Sequence, residues 1–176
     1  MSTVNIPGYA AGTWVIDTAR STVSFRTKML GFLPAAGTFD AFEGTITLAE
    51  DPLDSSVEAV VRTTSLNTRN ARRDKDLRKE GYLNVERYPT MTFSSTGVRT
   101  DGDAFLLDGD FTVLAVTKQL TLRLTPNGFE SADGTQRARF TATTEISNKE
   151  VGVTKAAAVI RDTTEVTLDI VATRQD

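Results

Sequence analysis

Residues Ser65–Ser95, SLNTRNARRDKDLRKEGYLNVERYPTMTFSS, hold one short charge-dense segment between two runs of strand-forming residues. The segment predicts a helix over about 70–80. Asn70 is placed to cap its start and Gly81 to stop it. Asp74 and Arg78 sit four apart with the acid first, the favourable order on a helix. So short a helix is marginal alone, so it is expected to dock on the body through Leu77, Tyr82 and Leu83.

On both sides of this insert the pattern has a period of two. Val23, Phe25, Thr27 and Met29 share one face of a strand, as do Phe42, Gly44, Ile46 and Leu48, and then Val57, Ala59 and Val61. The alternation resumes at Met91 and Phe93, at Phe105, Leu107, Phe111 and Val113, and at Leu120, Leu122 and Leu124. It ends with Phe140, Ala142 and Ile146, then Val166, Leu168 and Ile170. Threonine and valine are abundant, as strands prefer. Turn chemistry at Asp51-Pro52, Asp101-Gly102, Pro126-Asn127-Gly128 and Asp133-Gly134 makes the links short and neighbouring strands antiparallel. About eight strands with one apolar face predict an all-β domain, either a closed barrel or a two-sheet sandwich. Residues 1–12 read as a loose arm and 13–174 as one domain.

Composition narrows the chemistry. The chain has 176 residues, no cysteine and no histidine, and a net charge of −3. The missing residues remove thiol chemistry, the commonest general base and the commonest metal ligand together. A mildly acidic chain does not attract polyanions, so no nucleic-acid partner is expected. The start, MSTVNIPGYAAGTW, lacks a basic region followed by an apolar core, so a cytoplasmic location is expected. No window approaches the roughly 18 apolar residues that span a bilayer.

Carboxylates are plentiful: Glu43, Asp74, Asp76, Glu80, Glu145, Glu150, Asp162 and Glu165. No spacing singles out the pair that a hydrolase sets about 5–10 Å apart. Asp101-Gly102-Asp103 and Asp108-Gly109-Asp110 lack the alternating ligands of a calcium loop, so no metal site is expected. Arg69, Arg72, Arg73, Lys75, Arg78 and Lys79 crowd the insert. They read either as a solvated helix face or as a mouth that meets a polar head group.

An ordered series of short pieces resembles the YceI-like family of lipocalin-like, polyisoprenoid-binding proteins. It comprises Trp14-Val15-Ile16-Asp17, Ser21–Phe25, Gly37-Thr38-Phe39 with Phe42-Glu43-Gly44, and Ser65–Thr68. Arg73-Asp74, Leu77-Arg78, Tyr88-Pro89 and Thr92–Ser95 follow, then Val116-Thr117-Lys118, Val151-Gly152-Val153 and Asp162–Val171. The chain departs from the family pattern where Arg20 and Lys28 stand in place of histidines, at Ala115, and over Asn148–Gly152. The resemblance implies an extended eight-stranded antiparallel barrel that holds an isoprenoid or other long-chain lipid in an apolar tunnel. It implies no cofactor and no enzymatic activity, and it makes homodimers an expectation. Phe25, Met29, Phe42, Ile46, Leu77, Tyr82, Leu83, Phe93, Phe111 and Phe140 become candidate walls. Arg69, Arg73 and Arg78 become candidate head-group contacts. Two rivals stay open: an interaction module whose barrel is filled by its own side chains, and a carboxylate enzyme acting on prenyl substrates.

Overall fold

Among the described residues the alternating runs form eleven strands: β1 (Gly12–Ile16), β2 (Thr22–Met29), β3 (Ala35–Phe39), β4 (Phe42–Leu48), β5 (Ser56–Arg62), β6 (Leu66–Asn67), β7 (Thr90–Asp101), β8 (Ala104–Val113), β9 (Val116–Ala132), β10 (Thr135–Ser147) and β11 (Ile160–Gln175). One helix, α1 (Ala71–Leu77), lies between β6 and β7. This computed structural model describes residues 6–29, 35–153 and 160–175. The ring runs β1-β4-β5-β7-β8-β9-β10-β11 and closes because β11 also pairs with β1.

Three pairs of strands are halves of longer ones. β1 and β2 lie end to end along β11, with Ile16 opposite Ala172 and Thr22 opposite Asp169. β4 and β3 continue beside them, with Trp14 opposite Ile46 and Val23 opposite Phe39. β5 and β6 follow, with Phe42 opposite Val61 and Phe39 opposite Leu66. The product is a closed barrel of eight long antiparallel strands, which settles the choice against a sandwich.

Two local readings differ from the sequence expectation. Pro126-Asn127-Gly128 is not a turn; it lies inside β9. The register shifts there, with Pro126 opposite Phe140 and Gly128 opposite Arg139, so Asn127 is the extra residue of a bulge. Gly128, at φ +140, takes a backbone conformation that a side chain would strain. The helix is also shorter than 70–80. Asn70 does cap it, its side chain accepting from the Arg73 N–H at 3.1 Å. After Leu77 the chain doubles back through Gly81 (φ +89), and the Leu83 N–H donates to the Leu77 carbonyl at 3.0 Å. Doubling back brings Leu83 against the same cluster as Leu77. At Asp133-Gly134 both residues have positive φ, as a two-residue hairpin requires.

The outer face is polar. Arg62–Glu43, Arg99–Asp108, Arg123–Asp101 and Arg139–Glu130 pair along it. The Arg99 guanidinium, helped by Thr121, pulls the Asp108 carboxyl down to about 2. Exposed pairs of this kind add little stability. They do show which side of each strand faces water; most large apolar residues face the other way, while Val15 (39% exposed), Val60 opposite Glu43 and Leu106 opposite Arg99 and Arg123 share the outer side.

Candidate functional site

Inward-pointing residues from every long strand surround one elongated cavity. Its walls include Val23 and Phe25 of β2, Phe42 and Ile46 of β4, Phe93 and Val98 of β7, and Phe105 to Val113 of β8 at alternate positions. Leu120 to Leu124 of β9, Phe140 to Ile146 of β10 and Val166 to Ile170 of β11 complete the ring. The empty volume is about 2150 Å³, open solvent at its mouth included. As a cavity volume comparable with other proteins it is about 320 Å³, within the roughly 300–1,000 Å³ of a small-molecule pocket. Hollowness also shows in the burial of individual strands. β7, twelve residues long, has no fully buried residue although Met91, Phe93 and Val98 point inward.

Glycines on the inner face explain why the aromatics do not fill this space. A Cβ on Gly109 would lie 2.4 Å from the Phe93 ring and 2.6 Å from the Ser94 carbonyl oxygen. On Gly37 it would lie 2.9 Å from the Phe25 ring, and on Gly44 2.6 Å from Ile16 Cδ1. These large side chains therefore lie flat across neighbouring glycines along the wall, leaving the middle open.

The lower end, where β1 begins, is packed. Residues 6–11, expected as part of a loose arm, lie across it. The Tyr9 hydroxyl donates to the Ala49 carbonyl at 2.6 Å and lies 3.3 Å from Ser55 Oγ. Burial raises the Tyr9 phenol above its ordinary pKa. Trp14 Nε1 donates to the Ala10 carbonyl at 3.1 Å. Phe129 meets Tyr9, Trp14 and Phe140 edge to face, with ring centroids 5.6–5.9 Å apart.

The upper end carries the insert. Leu77, Tyr82 and Leu83 reach the cavity wall. Leu77 and Leu83 pack with Phe42, Val61 and Met91 around buried Val23, Phe39 and Leu66. The chain leaves and returns beside Thr63, which is 1% exposed; its N–H donates to the Pro89 carbonyl and its hydroxyl to the Tyr88 carbonyl.

Of the wall candidates, Phe25, Phe42, Ile46, Leu77, Tyr82, Leu83, Phe93, Phe111 and Phe140 all line the cavity. The side chains of Met29 and of the candidate acid Asp162 lie outside the described residues. The structure brings none of the three arginines to the wall. Arg73 donates to the Thr68 hydroxyl and carbonyl, both at 3.0 Å, and Arg78 to the Leu66 carbonyl at 2.7 Å. Arg69 is exposed at φ +60, its N–H held by Asn67 Oδ1. Asp74, 7% exposed, accepts from the Thr68 N–H at 2.9 Å and from the Thr68 hydroxyl. The Arg-Asp-x-x-Leu-Arg piece thus fastens the insert to the strand it leaves.

Replacing Asp74 with alanine is expected to strand the Thr68 donors at a cost of about 1–3 kcal/mol. Asp74→Asn, which keeps an acceptor, should cost less. Urea unfolding would measure both. Hydrogen exchange should speed up over residues 71–88 in the alanine variant; unchanged protection there would refute the fastening role.

Among the described residues that border the cavity the one acid is Glu43, whose carboxylate lies on the outer face paired with Arg62 at 3.0 Å, and there is no lysine or arginine. No group of three acids among them could hold a metal ion. Sequence reasoning passed over Tyr9 and the polar wall positions Thr27, Asn148 and Thr164. Thr27 already stood on the apolar face of its strand, and that was its signal.

The profile of the YceI-like domain matches residues 14–172. The chain is 40% identical over 134 residues to Protein YceI of Escherichia coli O157:H7, an alignment covering 74% of this chain and 70% of that one. Its fold matches the crystal structure of Burkholderia cenocepacia BcnA with a TM-score of 0.77 at 18% identity, covering 89% and 98% of the two chains. It also matches a polyisoprenoid binding domain from Saccharophagus degradans with a TM-score of 0.69 at 16% identity, covering 92% and 98%.

Proposed function

The chain belongs to the YceI-like domain family, and from that premise we propose that it binds a single long-chain amphiphile of isoprenoid type and performs no chemistry on it. The observation that carries this reading is the long apolar cavity running inside a closed barrel. The Saccharophagus degradans domain of similar fold, described as polyisoprenoid binding, supports the same ligand class.

Elementary energetics fit such a ligand. Each buried methylene contributes roughly 0.8 kcal/mol before ordering costs. A branched hydrocarbon tail laid against Phe25, Phe42, Phe93, Phe111 and Phe140 would bind tightly with few polar contacts. Tails differing by one methylene would be distinguished poorly. Ile46, Leu77, Tyr82 and Leu83 complete the proposed contact surface, the last three gating the end nearest the insert. A carrier or storage role follows from binding without turnover.

The test is direct. Protein purified without detergent is extracted with organic solvent and weighed intact by native mass spectrometry. A bound lipid with an isoprenoid tail is expected, and the stripped protein should take up geranylgeraniol. Stripped, folded protein that takes up no prenyl compound would overturn the reading.

A further inference from the structure

The bulge in β9 decides which side chain reaches the lower end of the lumen. Leu120, Leu122, Leu124 and Pro126 all line the cavity, so up to that point the even-numbered residues of β9 face inward. Strict alternation would continue with Gly128 and Glu130 inside and Phe129 in water. Asn127, the extra residue, prevents this: Pro126 stands opposite Phe140, and Phe129 stands opposite Ala138. Phe140 and Ala138 are two apart on β10 and both buried, so Phe129 joins them on the inner face, where it lines the cavity. Glu130 is turned outward and pairs with Arg139 at 3.1 Å. The bulge thus exchanges a carboxylate for a phenyl ring.

The surroundings of that ring make it a floor. It meets the Tyr9, Trp14 and Phe140 rings edge to face. The backbone of Gly8, at φ +79, passes directly against it, and a Cβ on Gly8 would lie 3.0 Å from Phe129 Cβ. The arm is anchored in turn by the Tyr9 hydroxyl and by the Ala11 carbonyl, which accepts from Arg174 at 2.8 Å. Polar groups at this end are already engaged. Ser55 Oγ accepts from the Ala49 N–H at 3.1 Å and lies beside the Tyr9 hydroxyl, which donates to the Ala49 carbonyl. What remains facing the space is carbon, from Ile6, Leu48, Phe129, Phe140 and Ile170. Such an end suits the hydrocarbon terminus of an amphiphile and offers nothing to its polar head.

We infer that Phe129 sets the longest tail the barrel accepts, because the far end of an isoprenoid chain stops against its ring. The inference rests on the lipid-binding reading above and goes further by assigning the tail end and the residue that measures it. Tails below the limit gain burial with each added unit. Tails above it must leave carbons outside the lumen.

The experiment displaces the neutral fluorophore N-phenyl-1-naphthylamine from the delipidated full chain with linear prenyl alcohols, from farnesol (three isoprene units) to solanesol (nine). In the unaltered protein, affinity is expected to rise with each unit up to a break and to stop rising beyond it. Phe129→Ala removes six ring carbons, against five in an isoprene unit, so the space it leaves should move the break about one unit longer. The alcohol one unit past the original break should bind that variant about tenfold more tightly than it binds the unaltered protein, the yield of roughly two further buried methylenes. Phe129→Leu keeps apolar bulk at the base, guards against loss of the fold, and should strengthen the same alcohol by less. A residue that only supports the structure would weaken every length in parallel. Parallel change with an unmoved break in both variants, or a series without a break in the unaltered protein, overturns the length limit while lipid binding stands. If no alcohol of the series displaces the fluorophore, the lipid-binding reading falls and the length limit with it.

Discussion

A Leu168→Trp variant is expected to fold normally and to lose most of its capacity for a long-chain ligand. Leu168 sits midway along β11, opposite Ala142 of β10 on one side and Val23 of β2 on the other. It packs against both the Val23-Phe39-Leu66 cluster and the Leu107-Leu122-Ala142 cluster, so it marks the waist of the cavity. Indole bulk added there enters empty space. In a filled core the same change would overpack and cost about 1–3 kcal/mol. In a hollow barrel the loss falls on binding instead. Excluding even about three methylenes removes about 2.4 kcal/mol, more than a tenfold loss of affinity at about 1.4 kcal/mol per decade. Fluorophore displacement and urea unfolding on the same preparation separate the two cases. A lowered urea midpoint with unchanged ligand affinity would show that the waist is packed solid and would remove the basis of the proposed function.

How much of this was readable in the residues depends on whether the information is local. The alternation at Phe105-Leu107 and Leu120-Leu122-Leu124 placed strands correctly because side-chain direction follows from the backbone period alone. Closure was not local. It depends on β1 pairing with β11 across nearly the whole chain, which no short window contains. Pro126-Asn127-Gly128 was misread because turns and bulges draw on the same residues, and only the partner strand tells them apart.

The site shows the same division. The wall residues were legible as the apolar face of each strand, while the emptiness between them was not. A filled and a hollow barrel share a binary pattern and differ in volume balance, here set partly by Gly37, Gly44 and Gly109 beneath large side chains. The arginines of the insert illustrate a different limit. A guanidinium suited to a ligand head is equally suited to a backbone carbonyl, and Arg73 and Arg78 bond Thr68 and Leu66. Thr27 gave only the faint signal of a polar residue on an apolar face, since a threonine in a strand is ordinary until its hydroxyl is seen to lack a partner.

The largest loss of stability is expected from Trp14→Ala. Trp14 is 1% exposed at the base of the barrel, packed with Ile46, Leu48, Ala138, Phe140 and Ala172. Its ring edge meets Phe129 at 5.6 Å, and its N–H secures the arm through the Ala10 carbonyl. Truncating a buried tryptophan costs about 3–5 kcal/mol, against a total of about 5–15 kcal/mol for a typical domain. Urea unfolding should be followed by circular dichroism, because the chain has a single tryptophan and the variant loses that fluorophore. The midpoint should fall sharply with an unchanged slope. Trp14→Phe divides the cause. If apolar bulk dominates, phenylalanine recovers most of the loss. If it recovers little, the indole N–H that seats residues 6–11 is the larger contribution, and removing those residues should destabilise the barrel by a similar amount. A loss below about 1 kcal/mol in Trp14→Ala, well short of what a packed site predicts, would mean that the base is loosely packed. The barrel would then be open at both ends, and a tail could thread through it instead of stopping at Phe129.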